Sequence, residues 1–184
     1  MTTEFEILPT IRDEAPIDDL VLDFYQTDGG RADAGFTGKR VGDCVTRAIA
    51  ICLDKPYGDV RKDLMQIQRE WIKKSRSLAA KETKRTSGGS VRNGVFREVY
   101  TPYLEDHGYK RKGLQTIGSS FRAKPVKSDV PSGRVILKMR RHLAACIDWV
   151  LHDKYDSRYK HVWKDNVRTS TKTLATVYSI WTKE

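Results

Sequence analysis

Partway along this chain the spacing of apolar residues changes, and that change restricts the fold more than any other feature. Val45, Ala48, Ile49 and Cys52 recur at helical intervals behind Asp43, a residue suited to cap a helix. Asp54-Lys55-Pro56-Tyr57 ends that helix and starts another, whose apolar stripe is Val60, Leu64, Ile67 and Trp71. A third helix is predicted over Val95 to His107, closed by Gly108. After it the pattern becomes β, with strands predicted at Tyr109–Gln115, Arg134–Met139, His142–Ile147, Val150–Tyr155, His161–Lys164 and Ala175–Thr182. Helices first and antiparallel strands afterwards imply one α+β domain over residues 37–184. Residues 73–94 and 118–133 read as long mobile loops.

The net charge of +10 conceals an asymmetry. Residues 1–30 hold eight acids and one base (Arg12), a net of −7, which leaves +17 on the rest. Residues 1–36 therefore read as an acidic leader, partly extended around Leu20-Val21-Leu22, ahead of a basic body. No run reaches the roughly 18 apolar residues of a membrane span. The opening Met-Thr-Thr-Glu-Phe-Glu has no basic start or apolar core of a secretory signal. Three cysteines without close pairing suggest no disulfide framework, so a cytoplasmic setting is expected. No Cys-x-x-Cys or His-x-x-x-His pair occurs, and neither a metal nor another cofactor is expected.

One cysteine stands apart. Cys44 opens the first helix, where exposed N–H groups and the helix dipole make a thiol more acidic. About a hundred residues later comes Arg-His-Leu-Ala-Ala-Cys-Ile-Asp-Trp-Val-Leu-His-Asp, a candidate β-hairpin. If Asp148-Trp149 is a two-residue turn, facing positions sum to 297. Cys146 then faces Leu151, and His142 and Asp153 lie diagonally on one face. A three-residue loop would reverse the parity and hand the role to Asp156. A thiol, an imidazole and a carboxylate in this relation are a nucleophile, its base and the group orienting that base. Cys52 and Cys146, each in an apolar run, read as buried structural residues.

Gly42-Asp43-Cys44 at a helix start, His142 opening a strand and Asp153-Lys154-Tyr155 on the next resemble the papain-like cysteine peptidase superfamily. The Asp-Cys beginning is similar to its bacteriocin-processing branch. The wider stretches Asp-Cys-Val-Thr-Arg-Ala-Ile-Ala-Ile and His-Asp-Lys-Tyr-Asp are similar to small papain-like proteins of phages and mobile elements. The resemblance spans about residues 36–160. It implies a nucleophile helix packed on a C-terminal antiparallel sheet, with Cys44 as nucleophile, His142 as base and Asp153 as orienter. It further implies a phage- or mobile-element-encoded thiol hydrolase that opens a peptide, isopeptide or other amide bond through a thioester. One departure is clear: such peptidases carry a glutamine about six residues before the cysteine as an oxyanion donor, and Gly38 stands there.

The expected partner is a protein or peptide substrate, acidic in view of the basic body. Two rivals accompany this reading. One is an inactive papain-fold module that binds or blocks a host protein. The other is a nucleic-acid-binding protein with a structural Cys44, whose binding would weaken steeply with salt.

Overall fold

A run such as Arg-Val-Ile-Leu-Lys-Met carries apolar side chains at successive positions, so as a strand it needs cover on both faces. The computed structural model describes residues 22–38, 42–113, 127–164, 167–172 and 177–183, and in it that run is β3 (Arg134–Met139). Ile136 enters one core with the helices, while Val135, Leu137 and Met139 enter a second. β3 lies inside a six-stranded sheet. The order is β1 (Asp23–Gln26), β5 (Val150–Asp153), β4 (His142–Ile147), β3, β8 (Val177–Lys183), β2 (Tyr109–Gly113). β6 (Tyr159–Lys164) and β7 (Val167–Lys172) pair antiparallel as a separate ribbon.

The sheet is mixed, which corrects the wholly antiparallel expectation. β1 runs parallel to β5, with Asp23 opposite Val150 and Gln26 opposite Asp153. The cause lies in the leader: Leu22 is buried in the second core and Phe24 packs against it, so the segment docks as a strand. It thereby supports β5, the strand that ends in Asp153.

The three helices read from periodicity form close to their predicted places. α1 (Cys44–Leu53) packs principally on β4 and buries Val45, Ala48, Ile49 and Cys52. It ends at Asp54, which turns left-handed (φ 55°) while the Lys55 N–H bonds the Ala50 carbonyl at 3.0 Å. α2 (Tyr57–Lys74) packs on α1 and buries Val60 and Leu64. Residues 73–94 are not a loop: they hold α3 (Leu78–Ser87) and a 3₁₀ turn at Val91–Asn93. The Ser77 hydroxyl accepts the Ala80 N–H at 3.1 Å as an N-cap, and Gly88 closes the helix in the left-handed region. Of this helix only Ala80 and Thr83 are buried, so no apolar stripe announces it. α4 (Arg97–Asp106) completes four helices among the described residues. Of the other predicted loop, residues 118–126 lie outside the described residues, while Lys127–Asp129 makes a 3₁₀ turn. Among the described residues no helix is long and apolar enough to cross a membrane.

Candidate active site

The turn at Asp148-Trp149 decides which acid faces His142. Both residues have positive φ, 45° and 66°, as a tight two-residue hairpin turn requires. For side chains other than glycine this conformation costs about 1–2 kcal/mol per residue. Tertiary contacts offset it: Asp148 Oδ1 accepts the Gly133 N–H at 2.7 Å, and the Trp149 indole N–H donates to the Val130 carbonyl at 2.8 Å. The register follows, with Ala145 opposite His152, Cys146 opposite Leu151 and Ile147 opposite Val150. His142 Nε2 hydrogen-bonds Asp153 Oδ2. Asp156 is occupied elsewhere, accepting from the Arg158 guanidinium at 2.8 and 2.9 Å.

Cys44, first residue of α1, is half-buried and hydrogen-bonds His142 with its side chain. Because Nε2 of the imidazole is engaged by Asp153, Nδ1 is the nitrogen left for the thiol. Burial pushes the Cys44 thiol up. The hydrogen bond and charge of His142, the Leu143 N–H and the Arg47 guanidinium together outweigh it and hold the thiol below its ordinary value. Burial alone would likewise lower His142, but hydrogen bonds to Asp153 and Cys44, and the charges of both, raise it to about 9. Each group therefore favours the charged form of the other.

Asp153 is buried, and four donors surround its two oxygens. Oδ2 receives His142 and the Ser157 hydroxyl (3.2 Å); Oδ1 receives the Lys154 N–H (2.7 Å) and Arg47 Nη1 (3.2 Å). Burial pushes this carboxyl up, but the His142 hydrogen bond and charge, the Lys154 N–H and Arg47 hold it below its usual value. It stays ionised and can only accept, so it holds the imidazole in one orientation.

Arg47 and Asp43 are parts of the site that the sequence reading did not include. Arg47, one turn into α1, donates from Nε to Asp43 Oδ1 at 3.0 Å as well as from Nη1 to Asp153. It thus links the residue before the thiol to the carboxylate behind the imidazole. Asp43 does not cap α1 as expected; no side-chain cap bond forms there. Its Oδ2 instead accepts the Tyr57 hydroxyl at 2.8 Å and lies 2.8 Å from Arg31 Nε. All of Arg31, Asp43, Arg47 and Asp153 are at most 6% exposed, so their charges compensate one another rather than being solvated. The available signal was an arginine four residues after an aspartate on an otherwise apolar helix.

Because the Asp43 carboxylate turns away, the first N–H groups of α1 receive no cap from it and remain available to a developing oxyanion beside Cys44. Gly38 offers no side chain there; a Cβ on it would stand 3.3 Å from Arg92 Nη2 and 3.8 Å from Arg31 Nη2. Two guanidinium groups thus occupy the surroundings of the position where the resemblance implies a glutamine. A cavity of about 600 Å³ lies at the other end of α1, against Ala50, Ile51 and Asp54.

Because its pKa is raised on folding, His142 stabilises the fold fully below its unfolded value of about 6.5. That contribution is lost as the pH rises through about 9. Cys44 and Asp153, both lowered, contribute above their unfolded values and lose that contribution as the pH falls through their folded ones. In an NMR titration the His142 ring protons should therefore move with a midpoint near 9. Asp153→Asn should bring the midpoint down. A wild-type midpoint at or below 6.5 would contradict the ion pair.

Fold and site together define an α+β protein in which a cysteine at a helix N-terminus, a histidine and a buried aspartate adjoin in series. Comparison with protein-family models, curated proteins and solved structures finds no match for this chain.

Proposed function

We propose that the protein is a thiol hydrolase of papain-like type. It transfers an acyl group from a peptide, isopeptide or other amide to water through a thioester on Cys44. The observation that carries this reading is the series Cys44–His142–Asp153, with its thiol held acidic and its imidazole held protonated at neutral pH. The Cys44 thiolate attacks the carbonyl carbon, and N–H groups at the start of α1 receive the oxyanion. His142 then gives its proton to the departing amine. The neutral imidazole takes a proton from water, hydroxyl attacks the thioester, and Cys44 leaves as thiolate with His142 again protonated. Asp153 orients the ring throughout and favours its charged form. Encoding by a phage or mobile element rests on the sequence resemblance alone.

A generic acyl donor tests the reading without knowledge of the natural substrate. p-Nitrophenyl acetate should give a burst of nitrophenol stoichiometric with protein and a hydroxylamine-labile acetyl group on Cys44. Both should vanish in Cys44→Ala and in His142→Ala. If no acetyl group forms on Cys44, or if the burst survives Cys44→Ala, acyl transfer at this site is wrong.

A further inference from the structure

A second cavity, 250 Å³, opens at the end of α1 that carries Cys44. Among the described residues its wall includes three arginines, Arg31, Arg61 and Arg92, and one acid, Asp43. That acid is already engaged by Arg31, Arg47 and the Tyr57 hydroxyl. Among the described residues, Arg61 and Arg92 have no carboxylate partner. The Arg61 guanidinium lies over the Phe36 ring, 4.5 Å from its centre, which braces the cation and leaves its N–H edge for another acceptor. Arg92 comes from the 3₁₀ turn that the Gly42 N–H anchors through the Arg92 carbonyl at 2.9 Å, two residues before the thiol. Gly38 keeps the space beside the Arg92 and Arg31 guanidinium groups clear of a side chain.

We propose that this cavity is the subsite for an acidic side chain of the substrate, a glutamate or aspartate held by Arg61 and Arg92. The inference rests on the acyl-transfer reading of Cys44 and adds the substrate class. A planar fork of N–H donors suits a carboxylate, which two arginines can hold by charge-assisted hydrogen bonds. The Phe36 and Tyr57 rings, 5.6 Å apart, supply apolar wall for the methylene stem of such a side chain. A free inorganic ion would have no use for that wall. Nearer the thiol the surroundings stay basic. Lys138 lies close enough to feel the charge on Cys44, and Arg111 acts on both Lys138 and Tyr100, the latter also sensing Cys44. An acidic peptide thus meets matching charge along its approach.

The test uses binding to the full-length Cys44→Ala chain, which cannot turn substrate over. Pools of acetylated, amidated hexapeptides with Glu or Gln at one fixed position, and neutral residues elsewhere, are equilibrated with it and identified by mass spectrometry. The Glu pool should be retained about tenfold better than the Gln pool at low salt. Adding Arg61→Met or Arg92→Met should cut the preference to about twofold, with thermal melting confirming that each variant is folded. Equal retention of both pools, or a preference that survives both substitutions, overturns the proposal. Inorganic phosphate competing as well as the best Glu peptide also overturns it, by making the cavity a small-anion site. Wild-type acetylation of Cys44, measured in parallel, separates the failures. A Cys44 that acetylates without any Glu preference removes only the subsite. A Glu preference on a chain whose Cys44 never acetylates removes the enzyme reading and the subsite role with it.

Discussion

Replacing His142 with alanine lowers the rate of Cys44 alkylation by iodoacetamide at pH 6 by roughly 100-fold. The thiolate is the reacting species, and an unperturbed thiol of pKa about 8.5 is only about 0.3% thiolate at that pH. In the intact protein the His142 hydrogen bond and charge offset the burial that pushes Cys44 up. The substitution removes both and leaves the burial. The fall stays short of the full change in thiolate fraction because a less acidic thiolate is intrinsically the better nucleophile. Cys52 and Cys146 provide references within the same molecule, since burial raises each to about 12. Site-resolved mass spectrometry reads all three residues together. A Cys44 that reacts no faster than Cys52 and Cys146 at pH 6, or that ignores the substitution, would dispose of the activated pair.

Arg47→Met should destabilise the protein by about 3–5 kcal/mol, the usual cost of removing one partner from a buried ion cluster. For a chain of this length that is a fall of about 10 °C in Tm. The guanidinium spans Asp43 and Asp153, so its loss removes a cation from two carboxylates that are each at most 4% exposed. Arg47→Lys should recover only part of the loss, because one ammonium on a flexible stem cannot reproduce two directed N–H bonds. Asp43→Asn combined with Arg47→Met should cost less than the two changes separately, since fewer uncompensated charges stay buried. The alkylation profile of Cys44 should move toward higher pH as well, because Arg47 helps hold that thiol down. Guanidinium denaturation checks the stability, and a loss below about 1 kcal/mol would mean that water already solvates the cluster.

The candidate site was legible in the sequence as far as local rules reach. Cys44 precedes an apolar helical stripe, and its position at the first residue of α1 follows from that stripe and the glycine before Asp43. The hairpin register could be stated by counting, because strand side chains alternate with a period of two. Counting could not choose between Asp153 and Asp156. The choice depended on whether Asp148 and Trp149 would accept positive φ, and Asp-Trp has no intrinsic preference for it. The Asp148 bond to Gly133 and the Trp149 bond to Val130 make it possible, and both partners come from a preceding segment.

Other features were hidden for comparable reasons. α3 buries small residues and so shows no apolar stripe; its marks are the Ser77 cap and Gly88. β7 (Val-Arg-Thr-Ser-Thr-Lys) lacks apolar alternation and, among the described residues, pairs only with β6. Asp43 looked like a helix cap because its type and place allow one, but in the fold Arg31, Arg47 and Tyr57 compete for its carboxylate and win.

By itself, then, the sequence determined the α+β class, most of the helices and strands, and the identity of the thiol and the imidazole that adjoin. Those follow from periodicities and turn residues within short stretches of chain. Only the tertiary structure decided that β1 would run parallel beside β5, that Asp153 would be the acid, and that Arg47 would clamp it. Each of these depends on groups distant in sequence meeting where water is excluded, so that buried charges must find partners.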